Sequence, residues 1–178
     1  MHDRPGGHGA VPPDGLVAVP PRGALRDAVL RLAPHPQQEE FSGRADQTLP
    51  LAERDPARHP YALVEDGEPV AFLVLDETPT EPDPDADLLL RGFFVDAAAQ
   101  GRGVATRAVA ALPDVVRRDF PTAETVVLTV NVRNPAARAV YLRGGWVDLG
   151  ELYLGGSAGP QHVMRLHLGA AGRLPGAD

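Results

Sequence analysis

The stretch Gln100-Gly101-Arg102-Gly103-Val104-Ala105 joins a strand-like run to a long helical pattern, and the fold turns on how that junction is read. Upstream, Leu88-Leu89-Leu90-Arg91-Gly92-Phe93-Phe94-Val95 is a short apolar run; downstream, Val104, Ala105, Ala108, Val109 and Leu112 recur at roughly helical spacing. The loop therefore opens a helix. A helix start carries unpaired N–H groups and the positive end of the macrodipole, and small residues there let an anion approach the backbone closely. A phosphate or pyrophosphate is the natural guest.

Neither common nucleotide loop fits. The stretch lacks the Lys-Ser/Thr ending of a Walker loop, and it has only two of the three glycines of a dinucleotide fingerprint, without a convincing acidic partner. A second strand-to-helix junction follows: Thr125 to Val130 is rich in β-branched residues, and Asn131-Val132-Arg133-Asn134-Pro135 leads into a helical stretch ending at Gly144. Asn followed by Pro at the first helical position makes Asn134 a helix cap on local grounds. Ala137 and Tyr141 stand four apart, so they share a helix face, with Asn134 near its start.

Taken together the two junctions resemble the GNAT N-acetyltransferase superfamily. Gln100, Gly103 and Ala105 occupy the positions of its Gln/Arg-x-x-Gly-x-Gly/Ala loop, and Asn134, Ala137 and Tyr141 match its Asn-x-x-Ala-x-x-x-Tyr pattern, followed by Gly144-Gly145-Trp146 where members usually carry Gly-Phe. The resemblance covers about Leu88 to Trp146 and is thin before Tyr61. It implies acetyl-CoA as cosubstrate, with its pyrophosphate on Gln100, Gly101, Arg102, Gly103, Val104 and Ala105. It also implies that the strands Leu88 to Val95 and Thr125 to Val130 run parallel and splay apart, so that the pantetheine arm fills the gap against Phe94 and Val95. Asn134 would meet the pantetheine amides, Asn131 would share that work, and Tyr141 would protonate the departing thiolate.

Each residue also has a plain structural reading. Alternate strand residues face opposite ways, so at least one of Phe93 and Phe94 belongs to the core. Tyr141 on helix spacing alone is a core tyrosine with its hydroxyl at a carbonyl or solvent. Arginines such as Arg107, Arg138 and Arg143 read as surface charge; Arg102 within the loop, and less so Arg143, are the candidates for cofactor phosphates. The general base is unassigned, because the strand before the loop reads Leu88-Leu89-Leu90-Arg91-Gly92 where superfamily members often place a glutamate. Asp87, Asp96, His162 or a water relay are the alternatives.

The 178 residues and an ordinary apolar fraction support one domain with a single sizeable core, expected over residues 15–168, with a disordered leader at 1–14 and a flexible tail at 169–178. The absence of cysteine removes disulfides, thiolate metal sites and a cysteine acyl-enzyme, and argues for a cytoplasmic protein. The six histidines show no paired ligand spacing, so no metal is expected. Apolar runs far shorter than about 20 residues give no membrane span. A net charge of −7 argues against nucleic acid as partner and agrees with a small-molecule amine. Homodimerisation through the closing strands is compatible with the sequence, which does not decide it.

The remaining pattern reads as a strand at Leu16–Val19, helices at Ala24–Leu32 and Thr48–Arg54, and strands at Tyr61–Glu65 and Pro69–Leu75 flanking the hairpin signal Asp66-Gly67. Two closing strands follow at Trp146–Leu154 and His162–Leu168. Pro113 should kink or split the helix begun at the loop. Prolines and acids from Thr78 to Asp85 form an exposed connection, either bordering the substrate opening or merely solvated. Pro34 to Phe41, with Gln37-Gln38-Glu39-Glu40, resembles acetyltransferases grouped with polyamine-acetylating members. The expected fold is α/β (α+β): a GNAT-like, mixed, mostly antiparallel sheet of six to seven strands, with helices on both faces and a splayed parallel pair. The expected activity is acetyl transfer from acetyl-CoA to a primary amine by direct attack. Rival readings are a non-catalytic CoA-binding sensor or interaction module on the same fold and a nucleotide-binding module.

Overall fold

The computed structural model describes residues 13–169, so the expected leader and tail lie outside it apart from Pro13, Asp14 and Gly169. Seven strands form one sheet: β1 (Gly15–Ala18), β2 (Arg58–Glu65), β3 (Glu68–Asp76), β4 (Leu88–Val95), β5 (Thr125–Asn131), β6 (Val147–Tyr153) and β7 (Gln161–His167). Their spatial order is β1-β2-β3-β4-β5-β7-β6, and every neighbouring pair is antiparallel except β4 and β5. The Asp66-Gly67 turn has positive φ at both residues, 51° and 78°, the backbone that matches the twist of a tight hairpin.

Strand alternation sorts the side chains into two faces. On one, Leu63, Leu73, Leu75, Leu88, Leu90 and Leu128 meet the apolar stripe of α4 (Val104–Asp119), with Tyr141 of α5 (Pro135–Arg143) and Trp146 in the same cluster. On the other, Ala62, Phe72, Val74 and Phe94 pack on Val29 of α1 (Ala24–Val29) and on Ala45, Leu49 and Ala52 of α3 (Ala45–Ala52). Between α1 and α3 the chain makes a 3-10 turn at Pro36–Gln38 and a short helix α2 (Glu39–Ser42). Periodicity does not reveal so short a helix.

Pro113 does not split α4, which runs unbroken across it. The proline removes one helical hydrogen bond to the Val109 carbonyl, but Ala108, Val109 and Leu112 before it and Val115 and Val116 after it are all buried on the sheet. Burial on both sides outweighs the lost bond.

The parallel pair is the feature that makes a site. β4 and β5 are in register at only two positions, Leu88 with Val126 and Leu89 with Val127. Beyond Leu89 a bulge sets in: β3 pairs Val74 with Arg91 and Phe72 with Phe94, leaving Gly92 and Phe93 opposite Leu73 alone. Gly92 sits at φ 62°, and a Cβ there would stand 3.3 Å from Thr48 Cγ2, so the bulge requires glycine on two counts. The extra residue reverses the strand's alternation. Leu88 and Leu90 face α4, and after the bulge Phe93 and Val95 do so, while Phe94 turns to the other face.

Candidate active site

A cavity of about 640 Å³ occupies the gap opened between β4 and β5. Its β4 bank runs from Leu89 to Val95 and its β5 bank from Leu128 to Asn131. The N–H of Asp96 donates to the Val70 carbonyl at 2.9 Å, so the alternation of the antiparallel ladder turns the N–H and C=O of Val95 away from β3 and toward the gap. The Val95 carbonyl is taken there by Gln100 Nε2 at 3.1 Å. Its N–H is left facing the cavity.

The loop after β4 is held by its own side chains. Gln100 Nε2 also donates to Gln38 Oε1 at 2.7 Å, and Gln38 Nε2 returns a bond to Gln100 Oε1 at 3.3 Å. Arg107 pairs with Glu65 at 2.6 Å and donates through Nη1 to the Arg102 carbonyl at 2.8 Å, which fixes the turn before α4. Gly103 caps α4 at φ 74°, with no side chain closing the helix end, so the first N–H groups of a 16-residue helix remain open. Gln100, Gly101, Gly103, Val104 and Ala105 line the cavity at this end. Arg102 is exposed beside it, forms no ion pair among the described residues, and is not in the wall.

The opposite bank carries the second motif. Asn134 caps α5, its Oδ1 accepting from the Ala137 N–H at 3.2 Å, and it lines the cavity with Ala137 and Tyr141. Tyr141 is 7% exposed, with the Phe93 and Trp146 rings at 6.3 and 5.6 Å. Burial pushes its phenol above the ordinary value. Asn131 is spent on local structure: its Nδ2 donates to the Ala158 carbonyl at 2.9 Å and its Oδ1 accepts from the Arg133 N–H at 2.9 Å.

The candidate bases lie elsewhere. Asp87 accepts from the Thr125 hydroxyl at 2.8 Å and from the Glu124 and Thr125 N–H groups, tying the starts of the parallel strands. Asp96 caps the 3-10 turn Ala97–Ala99 and accepts from the Ala33 N–H. His162 stands 3.4 Å from Asp148 on the closing strands. None of the three lines the cavity, and neither does Arg143. The charged side chains that do are Glu40 in α2, Glu81 in the β3–β4 loop and Arg91. The short motifs name none of these. The acidic, proline-rich composition of Thr78 to Asp85 was the available signal, and the loop does border the cavity.

Two clasps shape this side. Asp83, 8% exposed, is gripped by Arg165 of β7, which holds the β3–β4 loop over the sheet. Arg133 donates to Glu40 Oε2 at 3.1 Å and to the Ala158 carbonyl at 2.9 Å, and its guanidinium lies 5.3 Å from the Phe41 ring centre. The two banks are thereby bridged at the mouth.

A sheet opened at one parallel pair, with a helix N-terminus and a buried tyrosine on the same cavity, is the architecture of an acyl-CoA-using transferase fold. The family described as acetyltransferase (GNAT) matches residues 24–146, more than half of the chain, and the chain belongs to that family. It is 31% identical over 103 residues to an uncharacterized N-acetyltransferase, YbbJ, of Bacillus subtilis (strain 168), spanning 55% of this chain and 64% of that protein's length. Among solved structures it is similar to aminoglycoside acetyltransferase AAC(6')-Ib bound to paromomycin and acetyl-CoA, with TM-score 0.65, 19% identity, and 86% and 94% of the two chains covered. Spermidine N-acetyltransferase from Vibrio cholerae, bound to CoA and spermine, aligns with TM-score 0.63, 19% identity and the same coverage. At these identities the two structures establish the fold.

Proposed function

We propose that the protein is an acetyl-CoA-dependent N-acetyltransferase acting on a small primary amine by direct attack within a ternary complex. One observation carries the reading: the bulged opening of β4 from β5 brings the free Val95 N–H, the open start of α4 and the Tyr141 phenol onto one cavity. The pyrophosphate lies on the N–H groups following Gly103, with Arg102 able to turn onto it, and the pantetheine arm runs along the gap past Asn134.

The amine nitrogen attacks the thioester carbonyl and the carbonyl oxygen gains negative charge. A donor aimed at that oxygen lowers the barrier more than it tightens binding of the ground state, and the Val95 N–H serves this purpose. As the tetrahedral adduct collapses, the C–S bond breaks, the thiolate takes the Tyr141 proton, and the proton shed by the attacking nitrogen passes to solvent, from which the phenol is restored. Burial keeps that phenol protonated at neutral pH, and the same burial raises the proton affinity of a thiolate formed beside it. With no cysteine in the chain, transfer through a cysteine acyl-enzyme is excluded.

Titration calorimetry with acetyl-CoA, followed by an amine screen that detects released CoA thiol, tests the reading. Binding and turnover support it. Binding without turnover on any amine would favour a CoA-responsive module, which the arginine in mid-β4 makes the natural rival.

A further inference from the structure

Among the described residues three charged side chains line the cavity, and two of them are already paired. Glu40 is paired with Arg133 at 3.1 Å, and that arginine is held further by the Ala158 carbonyl and the Phe41 ring. Arg91 is paired with Asp76 at 3.2 Å, a carboxylate that is 1% exposed and also faces Arg58. Glu81 is different. It is exposed, makes no ion pair among the described residues, and has as polar neighbour the neutral phenol of Tyr153, which is pushed above its ordinary value first by burial and then by the Glu81 carboxylate. The loop that carries it is fixed two residues later by Asp83 and Arg165.

The wall around it is mixed: Phe41, Pro82, Leu89 and Tyr153 are apolar or aromatic, while Ser42, Ser157 and Gln161 add polar groups. A cavity with one unneutralised carboxylate and such a wall rewards a single ammonium on an apolar body. Further cations find no free counter-charge there among the described residues. We infer that the acceptor is a compact monoamine, recruited as its ammonium by Glu81 and losing a proton to solvent before its nitrogen attacks, and that polyamines and aminoglycosides are disfavoured, unlike the ligands of the two structural neighbours. This rests on the acetyltransferase reading and narrows it.

The test measures kcat/KM for 2-phenylethylamine, spermidine and kanamycin with the wild type, Glu81→Gln and Arg133→Ala, and acetyl-CoA affinity for each by calorimetry. The wild type should favour 2-phenylethylamine over spermidine by tenfold or more. Glu81→Gln should lower kcat/KM for that amine tenfold or more, mainly through KM, with acetyl-CoA affinity unchanged. Arg133→Ala, which uncovers Glu40, should raise spermidine relative to 2-phenylethylamine. A wild type that prefers spermidine or kanamycin, or a Glu81→Gln variant with unchanged KM, overturns the inference and leaves the acetyltransferase reading intact. A wild type that transfers acetyl to no amine overturns both.

Discussion

Gln100 Nε2 donates to the Val95 carbonyl at 3.1 Å and so ties the first residue of the anion loop to the last residue of β4. The strand end and the loop are therefore one rigid piece, braced from outside by Gln38. Gln100→Ala removes this brace while leaving every loop N–H in place. Stability should fall by about 1 to 2 kcal/mol, since the bonds are only partly buried. Acetyl-CoA affinity should weaken several-fold. Urea unfolding and calorimetry on the same variant check both.

Gly103 distinguishes charge from shape at the start of α4. Gly103→Glu places a carboxylate where a pyrophosphate is expected and should weaken acetyl-CoA binding tenfold or more, since two like charges at about 4 Å cost roughly 1 to 4 kcal/mol at a protein surface. Gly103→Asn tolerates the left-handed backbone and adds no charge. Its affinity should lie much nearer the wild type. Equal losses in the two variants, read by calorimetry, would make the loop's sensitivity steric.

Tyr141→Phe should reduce kcat by about two orders of magnitude while acetyl-CoA affinity and folding stability hold, a loss in the range of general acid catalysis. The hydroxyl has no hydrogen-bond partner among the described residues, so removing it leaves no partner unsatisfied. Because burial raises this phenol above its ordinary value of 10.0, Tyr141 should impose no falling limb on kcat below about pH 10. The raised value also has a consequence for stability. The unfolded chain loses the proton first, so the contribution of burial is complete below pH 10.0 and is lost as pH rises above it. Tyr61, raised by burial and by Asp119, acts in the same direction. Urea midpoints measured from pH 8 to 11 test the sign.

Asp76 supports the mid-strand arginine. Burial opposes its charge, but the Thr78 N–H and hydroxyl and the guanidinium groups of Arg91 and Arg58 outweigh it and hold the carboxyl below its ordinary value. Its contribution is present above pH 3.8 and disappears as pH falls through the depressed folded value. Asp76→Asn should cost about 2 kcal/mol at pH 7 and less at pH 3, below the ordinary value of 3.8. Denaturation curves at the two pH values make the comparison.

Much of the fold was legible because periodicity and turn chemistry agree locally. Asp66-Gly67 marks the β2–β3 hairpin, and the two strand-to-helix junctions mark the ends of the parallel pair. The motif residues Gln100, Gly103, Ala105, Asn134 and Tyr141 also converge on one cavity. Glu81 and Glu40 escaped such reading because their importance lies in what they do or do not pair with. Arg133 is 93 residues from Glu40, and the Asp83 grip by Arg165 spans 82. Pairings at that range leave no periodic trace. Asp87, Asp96 and His162 show the same limit: proximity to a strand end in sequence does not say that local N–H groups or Asp148 pair with them.

The two-position pairing of β4 with β5 also makes the molecule a lever. Leu88 and Leu89, with Val126 and Val127, are a fulcrum near one end of the strands. Val95 lies six residues further along, roughly 20 Å at the rise of an extended strand. A rotation of about three degrees at the fulcrum then displaces the Val95 end by about 1 Å, the scale on which a near-attack geometry is decided. The clasp of Arg133 on Glu40 and on the Ala158 carbonyl spans the mouth of that gap, where side chains and not a strand ladder join the two halves of the sheet.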